Sequence, residues 1–315
     1  MLLACLDDAY QAGYRQLAVS GGEPLLYSEL GALLAHAREL GMTTTITTNG
    51  MLATPRRWTP LAPLVDFVAV SIDGRPAEHD TIRGQAGAFD KTVRHLATIR
   101  ASGVPFGFIF TLTQHNVDSL EFVVRLAAEA GARAVQVHPL TMDGRATAML
   151  PQARPDGLEL IVALVEAARL GASLGVAVHV DAVTAEQLTQ YRSRFVPARP
   201  ATALTQIAPI LVVQADSMVV PLTHGMDARF MLGSLGSAPL ERLAERWLAG
   251  QRPDELARLC EATWNDLTTA SASPLPAVYW YEEVAMASRV AIEAPVTWQR
   301  SITRPDLEPR LQARA

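Results

Sequence analysis

The sequence predicts an α/β protein: strand and helix alternate through the first half, and a smaller α+β extension follows. Three observations carry this. Short apolar runs separated by segments with a helical apolar stripe recur five times before residue 141. The runs read as buried strands with both faces covered, the pattern of a parallel sheet. Each run ends in glycine or short polar residues, where ligands sit in proteins built from βα units.

Taken in order, residues 1–13 place Leu2, Leu3, Leu6, Ala9 and Tyr10 at helical spacing, and 16–20 read as a strand. Residues 28–40 put Leu30, Leu33, Leu34, Ala37 and Leu40 on one stripe, with Ser28 as the expected N-cap and Gly41 as the stop. The β-branched run TTTITT at 43–48 is a strand ending at Asn49-Gly50, and LVDFVAVSID at 64–73 is another. A helix over 89–103, a strand over 104–113, a helix over 118–131 and a strand over 132–140 complete the alternation. These lengths fit right-handed βαβ units. A Rossmann sheet and a barrel-like arrangement share the signature.

Proline-rich breaks at 151–155 and 197–209 mark the second half. Residues 156–170 read as a helix, 175–180 as a strand, and IAPILVVQADSMVVPL from 207 as two strands about an Asp216-Ser217 turn; 239–247 form a helix. The expected division is a β/α core over 1–150, a linker helix and strand over 151–206, an extension over 207–291 and a tail over 292–315.

Hydrophobic residues make up 49% of the 315, enough for a sizeable core, and the formal charge of −5 lacks the basic face of a nucleic-acid or membrane-surface binder. Neither is an expected partner. No apolar run reaches the roughly 18 residues that cross a bilayer. The start, MLLACLDDAY, has no basic region and turns acidic within seven residues, so it is a poor signal peptide and a cytoplasmic location is expected. High Ala, Arg and Leu usage hints at a high-GC bacterial gene. Two cysteines, Cys5 and Cys260, build neither a disulfide framework nor a Cys-rich metal site. His79, His115 and His138 match no short metal motif, so no metal ligand is assigned.

The strand ends are Ser20-Gly21-Gly22-Glu23-Pro24, Thr48-Asn49-Gly50, Ser71-Ile72-Asp73-Gly74, Thr111 with Thr113, and His138-Pro139. Together they predict one composite site. Glycine lets a ligand approach the backbone closely, and a buried Glu23 carboxylate beside it suits a cationic group. Glu23 also reads as a cap for the helix that follows. Ser71 and Asp73 also read as an Asx-type turn, and Arg83 as a partner of Asp80.

GGEP, then TTNG, then SIDG with HDTIRGQAGAFD (79–90), at successive strand ends over about residues 1–145, resembles the core of radical S-adenosylmethionine enzymes. The resemblance implies a partial (β/α)6 TIM-like barrel whose first strand is missing here. It implies S-adenosylmethionine as cofactor, with Gly21, Gly22 and Glu23 at its methionine end and Asn49 under the sugar or sulfonium. Ser71 and Asp73 would take the ribose hydroxyls, Arg83 the cofactor carboxylate, and His138 would flank the adenine. It further implies a 4Fe-4S cluster, reductive cleavage to a 5′-deoxyadenosyl radical, a peptide or small-molecule substrate, and a reductant such as a ferredoxin or flavodoxin. No catalytic residue is assigned.

Residues 211–247 resemble the SPASM-type extension of such enzymes, with its hairpin, its LG turn and its closing helix. That pattern has a cysteine after the hairpin proline. Here Leu222 follows Pro221, which implies a degenerate extension without its auxiliary cluster. The family's CxxxCxxC loop precedes the helix that here begins at Met1, and the chain lacks it. Two expectations stand: an N-terminally truncated chain, inactive alone, of an enzyme that carries the loop elsewhere; or a catalytically inactive remnant that binds a peptide or a partner. The first explains why a chain keeps an acid at a glycine turn. A cluster-free lyase or isomerase is a third reading, without an evident acid–base pair.

Overall fold

The computed structural model describes residues 1–142, 150, 152–269 and 277–290. Its centre is one six-stranded parallel sheet in the order β1-β2-β3-β4-β5-β6. The strands are β1 (Gln16–Val19), β2 (Thr43–Thr48), β3 (Phe67–Ser71), β4 (Phe106–Leu112), β5 (Ala134–Pro139) and β6 (Ala177–Val180). Sequential order without a reversal decides between the two architectures. A Rossmann sheet switches direction midway; here every strand adds to the same edge, as in a (β/α) barrel. β1 and β6 do not pair with each other, so the barrel is partial.

Helices Leu30–Glu39, Ala88–Ala101, Leu120–Ala130 and Gly157–Leu174 return the chain and cover one face. Alternate strand residues, among them Ile46, Val68, Val70, Phe108, Phe110, Val135 and Val137, are buried against Leu34, Ile99, Leu120 and Leu170 of these helices. The intervening residues form the other face, which is small or polar at Thr45, Thr47, Ala69, Gly107, Gln136 and His138 and carries Phe67 and Ile109 as its large apolar residues. The sheet is therefore covered more completely on the helix side than the apolar runs imply. At Gly107 a Cβ would come within 2.7 Å of the Ala134 carbonyl oxygen and 2.8 Å of the Phe67 ring, so β4 has room only for hydrogen there.

Three expectations are corrected. The helix after GGEP begins at Leu30 behind Glu29, with no side-chain cap. Ser28 is displaced from that role because the Pro24–Leu26 turn leads into the helix and the Tyr27 carbonyl takes the Leu30 N–H. Residues 157–180, read as the helix and strand of a linker, do form a helix and β6, but they belong to the core: the helix is the last crossover and β6 pairs with β5 in register Ala134↔Ala177 to Val137↔Val180. The second half also holds helices Arg252–Thr269 and Trp280–Arg289, where no element was expected. Residues 292–315, read as a tail, lie outside the described residues.

The second unit is the antiparallel sheet β8 (Leu211–Val213), β9 (Met218–Pro221) and β10 (Gly233–Ser234), with helix Leu240–Ala249 and the two later helices. Its own core joins Leu222, Phe230, Leu243, Trp247, Leu256, Cys260 and Val284. Cys5 of helix Leu2–Gln11 belongs to this core too, and the Tyr14 hydroxyl donates to the Ala208 carbonyl at 2.5 Å. A two-stranded ribbon, β7 (Val183–Thr184) with β11 (Ala277–Val278), returns the chain to the end of β6. No described helix is long and apolar enough to cross a membrane.

Gly107→Ala should lose about 1–3 kcal/mol in chemical denaturation, because the Ala134 carbonyl is backbone and cannot yield. Gly22→Ala, where a Cβ meets nothing within 4 Å, should stay within about 0.5 kcal/mol of wild type. Equal losses at both positions would contradict this packing.

Candidate functional site

The polar strand ends lie along one edge of the sheet and are tied in pairs by side-chain hydrogen bonds. Glu23 follows β1 and is half-buried, not buried as expected. Its Oε1 accepts from the Leu25 N–H at 3.0 Å and the Thr48 hydroxyl at 2.7 Å, and its Oε2 from the Asn49 N–H at 2.9 Å. The carboxylate thus caps the Pro24–Leu26 turn and ties the end of β1 to the end of β2. It is engaged by the protein, and the open part of the turn is the backbone. Gly21, at φ +113, and Gly22 are exposed with clear space where side chains would be.

Asp73 is the centre of the next two strand ends. It is fully buried. Its Oδ2 accepts from Arg83 Nε at 2.5 Å, and its Oδ1 from the Thr111 N–H of β4 at 3.1 Å. Its own N–H donates to His79 Nδ1 at 3.1 Å. Asn116, absent from the expected site, closes the network. Its amide donates to the Asp73 and Thr111 carbonyls, and its oxygen accepts from the Thr113 N–H and hydroxyl. Asp73 therefore does not present its oxygens to solvent for a ribose; it holds Arg83 and fixes β3 against β4. Asp80 does not pair with Arg83 either, since its carboxylate takes the Gly87 and Phe89 N–H groups.

Several groups around this frame keep hydrogen-bonding capacity. Arg83 binds Asp73 through Nε, and among the described residues its terminal nitrogens have no protein partner. Asn49 accepts the Met51 N–H through Oδ1 and leaves its amide nitrogen open, and its carbonyl takes the Thr92 hydroxyl. Ser71 ends β3 two residues before Asp73. His138 lies further along, on β5, where its Nδ1 meets Asp181 Oδ2 at 2.8 Å and its ring meets Tyr279 edge-on at 5.2 Å. The expected residues thus fall into a row along the C-terminal strand ends.

A family model described as the radical SAM superfamily matches residues 3–127. The chain carries a radical SAM domain. It is 36% identical to a PqqA peptide cyclase of Ruegeria pomeroyi over 51% of its length and 45% of that protein. It is 33% identical to an Fe-coproporphyrin III synthase of Methanosarcina barkeri over 47% of its length and 37% of that protein. The chain thus spans less than half the length of these relatives. Streptococcus suis SuiB bound to S-adenosylmethionine superposes with TM-score 0.60 at 14% identity, over 79% of this chain and 59% of that one. The structure of native anSMEcpe with AdoMet and a Kp18Cys peptide gives TM-score 0.60 at 17% identity, over 91% and 87%. At such identities these structures bear on the fold, which they share beyond the matched domain.

The donor set of the radical SAM domain fits S-adenosylmethionine: open glycine backbone, a guanidinium with free nitrogens, and short polar side chains. It does not fit an iron–sulfur cluster. Burial, with Asp8 adding to it, pushes the Cys5 thiol up to about 11, and burial pushes Cys260 up to about 12. These thiols stay protonated and sit on different elements. No group of three metal-ligating side chains exists among the described residues. A cavity of about 740 Å³ lies in the second unit beside Trp247, Arg246 and Arg252, and none of the expected site residues lines it.

His79 connects the site to stability. Burial holds its pKa below the ordinary 6.5, with Asp73 opposing and Arg83 assisting. Because Nδ1 accepts the Asp73 N–H, the neutral ring carries its proton on Nε2. The folded state resists protonation more than the unfolded chain, so this stability is complete above about pH 6.5 and is lost as pH falls through the folded pKa. The urea midpoint should fall between about pH 7.5 and pH 5.5. His79→Gln, which keeps an acceptor without a titrating ring, should flatten that dependence; an unchanged slope would remove His79 as its source.

Proposed function

We propose that this chain is the cofactor-binding core of a radical SAM enzyme that modifies a peptide. The observation that carries the cofactor assignment is Arg83. A buried carboxylate holds it by one nitrogen, and among the described residues its two terminal nitrogens have no protein partner. In this reading the backbone of Gly21 and Gly22 takes the methionine end, and Glu23 fixes the turn without touching the ligand through its carboxylate. Arg83 takes the cofactor carboxylate, Asn49 and Ser71 offer the short polar groups a sugar needs, and Asp73 acts through Arg83.

Bound S-adenosylmethionine supplies a 5′-deoxyadenosyl group for hydrogen-atom abstraction in this family. What this chain's own residues contribute is grip and orientation. Thiolates for a 4Fe-4S cluster do not come from Cys5 or Cys260, so the proposal assigns them to residues outside these 315, and a one-electron donor such as a ferredoxin or flavodoxin would serve that cluster. A peptide substrate is supported by the similarity to the Ruegeria cyclase and by a fold shared with anSMEcpe through the second unit. The two buried, protonated cysteines favour a second reading, an inactive remnant that binds a peptide or a partner.

Calorimetric titration of the 315-residue chain with S-adenosylmethionine tests the first point. One site is expected. Arg83→Gln should weaken it about tenfold, the loss of one charge-assisted contact. Gly22→Ala should weaken it comparably while leaving the melting temperature alone. Absence of binding, or variants that bind like wild type, would sink the cofactor assignment. Intact mass of the protein from its own host then separates the enzyme from the remnant: added residues containing CxxxCxxC support the enzyme.

A further inference from the structure

His138 and Asp181 form a pair that the cofactor assignment does not use. Asp181 follows β6, and its backbone N–H bonds to the Val137 carbonyl, which sets it beside His138 at the end of β5. Its Oδ2 takes His138 Nδ1 at 2.8 Å and Gln136 Nε2 at 2.9 Å; its Oδ1 lies 3.2 Å from the same Gln136 nitrogen. A carboxylate with donors directed at it accepts, so His138 Nδ1 carries the proton and Nε2 of the neutral ring is bare. Among the described residues Nε2 has no partner, and the imidazole keeps 33% exposure. The ring plane is fixed on its other side by Tyr279, which packs edge-on and leads into Tyr281 at 6.2 Å.

We propose that His138 is the proton acceptor for the substrate: its Nε2 takes the proton of an N–H, O–H or S–H group on the molecule held over the strand ends. Asp181 and Gln136 are its positioning residues. The bond from the substrate heteroatom to hydrogen breaks with its electron pair left on the heteroatom, the proton moves to Nε2, and the Asp181 carboxylate offsets the imidazolium charge. The neighbouring phenols are kept neutral mainly by burial. Burial first, then Asp181, pushes the Tyr279 hydroxyl well above its ordinary range, and burial does the same to Tyr281. Both remain neutral donors, so a substrate meets one bare acceptor flanked by protonated phenols. The substrate class that fits has a polar X–H group next to an apolar or aromatic surface, as peptide side chains of Tyr, Ser, Cys or Trp do. The inference rests on the reading that the strand ends form the reaction site, and it moves His138 from the adenine to the substrate.

Diethylpyrocarbonate, which acylates bare imidazole nitrogen, tests this without turnover. Labelling of the 315-residue chain is followed residue by residue by mass spectrometry, with the exposed His115 and His224 as internal standards. Despite its partial burial, His138 should react about fivefold faster than either standard, because a carboxylate sharpens the nucleophilicity of Nε2. Asp181→Asn keeps an acceptor for Nδ1 but removes the charge. It should slow His138 about tenfold, with melting temperature and both standards unchanged. Labelling is repeated with S-adenosylmethionine, its occupancy measured on the same sample by equilibrium dialysis; bound cofactor should leave His138 reactive. A rate at or below the standards, no response to Asp181→Asn, or protection by bound cofactor would each overturn the proposal. If no cofactor binds, the cofactor assignment fails separately, and the first two comparisons still decide His138.

Discussion

The buried Asp73 carboxylate is the constraint on which the site depends. A charge with no exposure is tolerable only if donors satisfy it, and here Arg83 Nε and the Thr111 N–H do so. Removing one member leaves an uncompensated buried charge, a loss of about 3–5 kcal/mol for such pairs. The network is therefore cooperative: the end of β3, the end of β4 and the position of Arg83 are set together. A guanidinium on a long flexible stem becomes a fixed donor because its inner nitrogen is anchored.

The same device recurs along the sheet. Glu23 after β1 takes the Asn49 N–H after β2, Asp73 after β3 takes the Thr111 N–H of β4, and Asp181 after β6 takes the donors of Gln136 and His138 on β5. Where a parallel sheet ends, the last N–H groups run out of partners; after β1 and β3 a carboxylate takes such a group from the neighbouring strand, and after β6 it takes side-chain donors instead. This reverses a natural assumption about acids at strand ends. Glu23 and Asp73 are prominent because they build the frame; the groups left open to a ligand are glycine backbone, the outer nitrogens of Arg83 and the Asn49 amide.

Much of this was legible in the sequence. The strands were, because each is a short β-branched or apolar run whose helix-facing positions must be apolar, and the glycine turns were, because their spacing follows the strands. The ends of TTTITT fall on Thr43 and Thr48, as read. What escaped depends on distance along the chain. His138 and Asp181 are neighbours only because β5 pairs with β6. Asn116 carried no signal, since a single asparagine after a strand is ordinary until its four bonds are seen. Ser28 looked like a cap by residue type, but the Tyr27 carbonyl already held the donor it would have taken. The helices of the second half were obscured because their buried faces meet one another and helix Leu2–Gln11 in place of the main sheet.

In the second unit the residue that follows the hairpin proline has a strained backbone. Leu222 occupies the left-handed region at φ +68, a conformation that costs a branched residue about 1–2 kcal/mol. Burying its side chain to 5% exposure returns roughly 1.5–3 kcal/mol, so apolar packing can hold the strained position without a ligand bond. Cys260 is consistent with this: its thiol lies in the same core as Leu222 and Trp247 and stays neutral. The unit is thus held by hydrophobic contact, and that core extends to Val278, Trp280 and Val284 on either side of Tyr279. With Val278 also paired to Val183 in the ribbon, Tyr279 is anchored from two directions and set against His138. A packed extension can in this way complete the rim of the barrel.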